Sequence, residues 1–489
     1  MNFRRWVVFS FLIHVLVVMV DKGGGLVLYL LTAHHPAQHG KSGITASLPF
    51  ILGAVANLGL ATALVYFVRR GRYSAQVCFE TTMGMALGWG TLIATLAGVF
   101  VLYGLPLLNP EWVSDPMAVI PVCAAVPLLL VASYANSTQL ATERVQDYGV
   151  VHLVTALAFL PAFFAVFFWY GATLTDDHVP LSVAWGRLFS TALVALLTLW
   201  MVRRVVTLRV RVHREFLGEA LRYGWKANLT STLAYLNHRL DLIVLWFVVL
   251  WHQADVVGLW LGVTWNHTDR ALATKVAENL AGVQVAYYSM AVTWAELVWH
   301  FPEAMRDLFF SKVAGSSHEQ ARLLTPVLSR LGLLLSLLGA LAIVFAIDPI
   351  MLLITAIARP GDDVWSSWSP HVNDALWLLV PGTVAFTVSK VLQADLAARD
   401  RLQTCVNAQA FGLVSMLGFD VLWIPEHGAI GAAMASTASY MLSTVYTVIA
   451  YSRQTEIAWW RCLVVHGSDF RYVGEIFAAV VQKLRRRSA

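Results

Sequence analysis

Asp21 and Lys22, followed by Gly23-Gly24-Gly25, interrupt an apolar run that extends from Trp6 to Leu31. A charge near the centre of a bilayer costs about 3 kcal/mol or more, so ionisable residues there usually face a cavity and mark a substrate or ion path. Three glycines weaken a helix, and a broken helix at mid-membrane is tolerated only where its backbone lines a cavity. A self-neutralising ion pair at a bend is the plainer alternative. His14, Asp21 and Gly25 stand at i, i+7 and i+11 on one face, with Lys22 beside them.

Three more segments place ionisable groups inside apolar runs. Glu296, His300 and Glu303 are spaced i, i+4, i+7, and Ser289 and Thr293 extend the same stripe upstream. Such a stripe cannot face lipid and must look into protein or water. Glu303 is close enough to a helix end to snorkel toward Arg306, whereas Glu296 lies about halfway across. In Asn237-His238-Arg239-Leu240-Asp241 the aspartate shares a face with Asn237 and His238. Arg239 points about 200° away from Asp241, so one of the two charges must face a neighbouring helix. Val380-Pro381-Gly382 predicts a kink, and Lys390 follows about two turns on.

Lys22, Arg239 and Lys390 suit an anionic ligand, because ammonium and guanidinium groups bind phosphate strongly, arginine in a forked geometry. Asp21 and Asn237 join them as candidate substrate-binding residues, and Glu296, His300 and Asp241 are candidate ion-coupling residues that could titrate. Helix-to-helix pairing is the structural alternative for each. No Gly-rich nucleotide loop is present, and Cys78, Cys123, Cys405 and Cys462 form no CxxC pair. Neither a cofactor nor a metal is expected.

The elements that must position these groups are membrane spans. Hydrophobic residues make up 58% of the 489, charged residues 13%, and the mean hydropathy is +0.65. Nineteen tryptophans and fifteen tyrosines suit interfacial belts. The net charge of +5 collects at the ends of apolar runs, so no nucleic-acid partner is expected. Arg4-Arg5 before an apolar run imitates a secretory signal, but the polar residues fall mid-span and no cleavage site follows.

Segments able to cross a core about 30 Å thick fall at 6–31, 43–68, 78–103, 117–135, 148–170 and 181–205, then at 227–250, 284–310, 325–347, 374–397, 403–424 and 429–451. With the amino terminus inside, 26 of the 34 Lys and Arg lie in inner segments, four in outer ones and four within spans. That bias puts both termini in the cytoplasm. The expected organisation is an all-α multi-pass membrane protein of about twelve transmembrane helices. A six-helix bundle at 1–206, a basic cytoplasmic linker at 207–226 and a second bundle at 227–455 are followed by a basic amphipathic tail at 456–489 suited to an anionic membrane surface. Two groups of six suggest two repeats with a site between them.

Several stretches resemble a known family. Leu48-Pro49-Phe50 through Phe67-Val68 looks like the second helix of bacterial polysaccharide (oligosaccharide) flippases, members of the multidrug/oligosaccharidyl-lipid/polysaccharide exporter superfamily. Tyr235 to Asp241 resembles their seventh helix, and Val285-Ala286-Tyr287-Tyr288-Ser289 with Phe301-Pro302-Glu303 their eighth. Pro381-Gly382, Lys390-Val391-Leu392 and Ala397 to Arg401 are similar to the tenth helix and its turn. The likeness covers residues 1 to about 455. It implies a V-shaped pair of six-helix bundles in the bacterial inner membrane that flips a lipid-pyrophosphate-linked oligosaccharide by alternating access for polysaccharide biosynthesis. The implied partners are membrane lipids, a polysaccharide polymerase and glycosyltransferases.

One departure stands out. A short turn usually joins the seventh and eighth helices of that family, but here a periplasmic insertion at 251–283 separates them. It reads as an amphipathic helix or as a tolerated loop. Two other functions compete. A multidrug/cation antiporter would need a lining dominated by carboxylates and aromatics, against which Lys22, Arg239 and Lys390 argue. A membrane-embedded glycan polymerase or ligase would need catalytic residues in a large outer loop, and 251–283 has no obvious carboxylate pair.

Overall fold

The computed structural model describes residues 20, 22–108, 115–171, 178–260, 267–313, 318–399, 401–464 and 467, with side chains described for all of these except 145, 227, 253–260, 267–274, 300–313, 318–324 and 398. All regular structure in them is helical. Helix α1 covers 22–32. There follow α2 (Pro36–Ala56), α3 (Leu60–Arg69), α4 (Ala75–Val99), a π-helical turn at Phe100–Gly104, α5 (Leu105–Leu108), α6 (Pro116–Ala141), α7 (Val145–Trp169) and α8 (His178–Val202). The second half contains α9 (Arg214–Trp260), α10 (His267–Val313), α11 (His318–Ala358), α12 (Val364–Ala398), α13 (Leu402–His427), α14 (Ala429–Thr455) and the short α15 (Trp460–Leu463).

Counting α2 with α3 and α4 with α5, and setting the short α15 aside, gives twelve rods among the described residues, one in each segment expected to cross. Eight helices among the described residues are long and apolar enough to span a bilayer, and nine if the bent pair α2–α3 counts as one span. Helix α14 shows why some rods fall short of that test. Its buried face carries Ser436, Ser439, Ser443, Thr444 and Thr447, which face protein rather than lipid. In lipid the hydrophobic effect does not drive helices together, so close packing and interhelical hydrogen bonds must. Ser439 donates to the Gly412 carbonyl at 2.9 Å, Ser443 to the Ala408 carbonyl at 3.1 Å, and Ser389 bonds Thr447 at 2.9 Å.

Local sequence explains most boundaries. Pro36 opens α2, where a missing N–H costs nothing. Ser74 caps α4 by accepting from Val77 N, and Asp115 caps α6 by accepting from Met117 N at 2.9 Å. Leu58 and Gly59 take positive φ (55° and 74°), which breaks the expected second span into α2 and α3 with a bend of 52°. The glycines of α1 behave differently from expectation: Gly23 to Gly25 remain helical. A bilayer leaves unbonded backbone no partner, so the helix persists through them.

Two segments expected to be separate are continuations of helices. The 214–226 part of the basic linker is the start of α9, because Phe216 and Ala220, one turn apart, bury among the first-half side chains. The described residues of the 251–283 insertion belong to the end of α9, which runs to Trp260, and the start of α10, from His267, each 47 residues long. The tail is described as far as α15, which docks on α11 through Ser329 to the Cys462 carbonyl at 2.9 Å and Arg330 to the Arg461 carbonyl at 2.7 Å. The amphipathic run expected beyond it lies outside the described residues.

The two halves touch at both ends of the seam between them. On the side of the 203–213 linker, Tyr66 stacks on Tyr223 with ring centroids 3.9 Å apart, and a Cβ placed on Gly224 would lie 2.5 Å from the Gly59 carbonyl oxygen. On the opposite side, a Cβ on Gly282 would lie 2.8 Å from the Ala37 carbonyl oxygen, and Trp368 donates to the Ala33 carbonyl at 2.9 Å. Glycine at these positions lets backbones of opposite halves meet.

Candidate functional site

Between those two contacts lies a triad of charges. Helix α1 sits at the seam: Leu28 and Leu31 pack on the α7–α8 cluster of Phe159 and Phe163, whereas Tyr29 and Ala33 join the second-half core. About two turns earlier, Lys22 Nζ donates to Glu296 Oε2 of α10 at 3.2 Å. Arg239 of α9 donates to the same oxygen at 3.0 Å. A single carboxylate oxygen therefore gathers a cation from each half.

These groups keep 19% (Lys22), 12% (Glu296) and 27% (Arg239) of side-chain exposure. They are neither dry nor on the surface. Removing one partner would leave a charge without compensation in a poorly solvated place, which is what makes such a cluster sensitive to mutation.

One turn along α10 from Glu296, Trp299 begins an aromatic group with Phe386 and Tyr440. Lys390 of α12 lays its ammonium 3.9 Å from the Trp299 ring centroid, a cation–π contact. His238 Nδ1 lies 3.1 Å from the Tyr440 hydroxyl, and Trp299 donates to the Thr383 carbonyl at 2.9 Å, fixing the indole. Lys22, Arg239 and Lys390 thus come together along one stretch of α10, beside three buried rings.

Asn237 and Asp241 are turned away from this group. Asn237 is fully buried and accepts from Ser439 of α14 at 3.2 Å, so it is not among the cations with which the sequence grouped it. Asp241 is buried too; it accepts from Tyr288 and Ser436 and from the Leu242 backbone N–H at 2.8 Å. The 200° between Arg239 and Asp241 resolves with the arginine at the seam and the aspartate inside the second half. Asp21 and the His300 side chain lie outside the described residues, as do those of His14 and Glu303.

Two residues carry more than the sequence reading gave them. Asp420 of α13 has no solvent exposure, and both of its carboxylate oxygens lack a hydrogen-bond partner. Two carboxylates this dry need a compensating proton or cation. A lone Asp in the apolar run Leu413 to Ile424 was the available signal. Arg187 of α8 lies with its guanidinium 3.9 Å from the Phe159 ring centroid and 5.4 Å from that of Phe50. Its signal was equally plain: a single arginine in the middle of a span.

No protein-family model matches the chain, and no curated protein matches it. Solved structures do. The lipid II flippase MurJ in an inward closed conformation superposes with a TM-score of 0.64 at 12% identity, covering 97% of this chain and 96% of that one. An inward-facing multidrug resistance MATE family transporter of the MOP superfamily gives 0.56 at 13% identity, over 90% and 94%. A MOP superfamily transporter from Pyrococcus furiosus, described as having a binding pocket of reverse polarity, gives 0.51 at 12% identity, over 91% and 95%. The chain has the all-helical, multi-pass fold of these MOP superfamily transporters.

Proposed function

We propose that this protein is a flippase or exporter that moves an anionic, lipid-pyrophosphate-linked oligosaccharide across the bacterial cytoplasmic membrane by alternating access, for polysaccharide biosynthesis. The observation that carries the reading is the convergence of Lys22 and Arg239, from opposite halves, on Glu296 Oε2. A carboxylate oxygen held by two cations has the chemistry of a phosphate oxygen in the same place. Lys390 and the Trp299, Phe386 and Tyr440 rings stand next to it, suiting the negative headgroup and the sugar that follows. Pocket polarity differs between transporters of this fold, as the Pyrococcus furiosus neighbour's description states. The substrate's charge therefore has to be read from each chain's own residues.

The cycle follows from the geometry. With both sides shut, Glu296 occupies the cations as a built-in counter-ion. When one side opens, a phosphate displaces it, and Glu296 takes a proton or another partner; when the other side opens, its return expels the substrate. Asp241 and Asp420 form a second titratable site, inside the second half, where a proton or cation would bias the packing of α9, α13 and α14. Both termini then face the cytoplasm, where glycosyltransferases supply the lipid-linked glycan, and a periplasmic polymerase receives it.

Single substitutions test the reading. Lys22→Ala, Arg239→Ala and Lys390→Ala should each reduce glycan export at unchanged protein level. Loss of one charge-assisted hydrogen bond predicts a decrease of about tenfold or more at Lys22 and Arg239. Arg239→Lys should recover only part, since the fork is lost. Export at full rate by all of these variants would overturn it.

A further inference from the structure

The segment that ties α8 to α9, and so one half to the other, interleaves apolar and basic residues. From Arg203 to Arg214 it holds five arginines, one histidine and no acid. Residues 207–213 are neither helix nor strand, yet they are held at both ends against the first turns of α4. Gln76 donates to the Thr207 carbonyl at 2.9 Å and accepts from the Thr207 N–H at 2.8 Å. At the other end the His213 backbone N–H donates to Thr81 Oγ1 at 3.2 Å, and His213 Nε2 lies 3.0 Å from Glu80 Oε2. Between these ends the strap crosses Gly84, where a Cβ would lie 2.7 Å from Val212 Cγ2 and 3.6 Å from Val210 Cγ1. Gly84 heads the outward face of α4, which continues at helical spacing through the exposed Leu87, Thr91, Leu92 and Leu96. Helix α4 is long and apolar enough to span, so that face meets lipid.

Val210 and Val212 therefore lie over the lipid-facing stripe of a span, about 14 Å along α4 from Ala75. Together with Leu208 they remain exposed, and so do Arg209 and Arg211 between them. Trp200, in the last turn of α8, is exposed as well, with the Arg203 and Arg204 guanidinium groups 5.4 and 4.6 Å from its ring centroid. An indole beside arginines suits the boundary between acyl chains and headgroups, where an apolar body and a charged tip are both satisfied. A nucleic acid or an acidic protein would satisfy the arginines and leave the aliphatic groups unmet. We infer that the 203–213 strap docks on the anionic phospholipid headgroups of the leaflet on its side of the membrane. Its three exposed aliphatic side chains enter the acyl boundary, and Arg203, Arg204, Arg209 and Arg211 take the phosphates. The surface is independent of the charge triad at the seam and does not depend on the substrate's identity.

The test attaches an environment-sensitive fluorophore at Leu208→Cys in the full chain in nanodiscs, once the four buried native cysteines are replaced. Doxyl-labelled phosphatidylglycerol and doxyl-labelled phosphatidylcholine, equal in chains and mole fraction, serve as quenchers. The anionic lipid should quench more strongly. The ratio of the two should fall about fivefold or more when Arg203→Gln, Arg204→Gln, Arg209→Gln and Arg211→Gln are combined. Arg209→Gln and Arg211→Gln alone should each lower it part of the way, and a thermal unfolding profile matching the parent certifies each variant. Quenching by neither lipid would put the strap in water and overturn the inference. Equal quenching by both, or a ratio that the combined variant keeps, would overturn headgroup recognition. Soluble polyglutamate should leave the quenching unchanged; if it releases the quenching, the surface belongs to an acidic protein partner instead.

Discussion

Glu296 is bound by cations that come from different halves of the chain, so it links the halves between their two backbone contacts. Glu296→Gln keeps the size and most of the hydrogen bonding but removes the charge and the ability to titrate. In reconstituted vesicles this variant should lose the response of flipping to an imposed pH gradient, whereas the wild type retains it. An unchanged response would make Glu296 a purely structural partner of Lys22 and Arg239, and the drive would then reside at Asp241 and Asp420. At this scale much was legible in the sequence. A charge in an apolar run announces itself, and Lys22, Arg239, Glu296 and Lys390 do lie together. What a sequence withholds is the partner. Asn237 is one turn from Asp241 and was grouped with the cations, yet the tertiary packing of α13 and α14 turned it inward. Arg187 and Asp420 stood alone in their runs, without a periodic companion to signal a shared face.

At the scale of elements, two glycine contacts set where the halves can part. Gly59 and Gly224 meet on the linker side, Gly40 and Gly282 on the opposite one. Each is backbone against backbone, so a larger side chain has nowhere to go and must push the halves apart. A reporter cysteine replacing Ser289, beside Gly43 at the seam, can read the effect once the four native, buried cysteines are replaced. Gly282→Leu should raise its labelling from the side opposite the linker, and Gly224→Leu from the linker side. Equal labelling from both sides in both variants would show that these contacts do not gate access. The elements themselves were readable from length and hydropathy, since each expected apolar segment holds a helix among the described residues. The break at 57–59 was not, because one glycine in an apolar run usually stays helical, as Gly23 to Gly25 do. Nor was the helical nature of 214–226, whose basic residues masked the buried pair Phe216 and Ala220.

For the molecule as a whole, two helical halves close over a mid-depth group of cations, with α1 and α2 belonging to one half and packing on both. The fold is that of transporters whose described cargoes differ, so the proposal that this seam receives an anion depends on its charges. Flipping of a fluorescent lipid-pyrophosphate oligosaccharide in proteoliposomes, read by quenching from outside, measures that directly. The account predicts that the wild type equilibrates the probe between leaflets, and that the Lys22→Ala, Arg239→Ala, Lys390→Ala triple variant, equally abundant and equally folded, does not. A triple variant that flips the probe at the wild-type rate would contradict it.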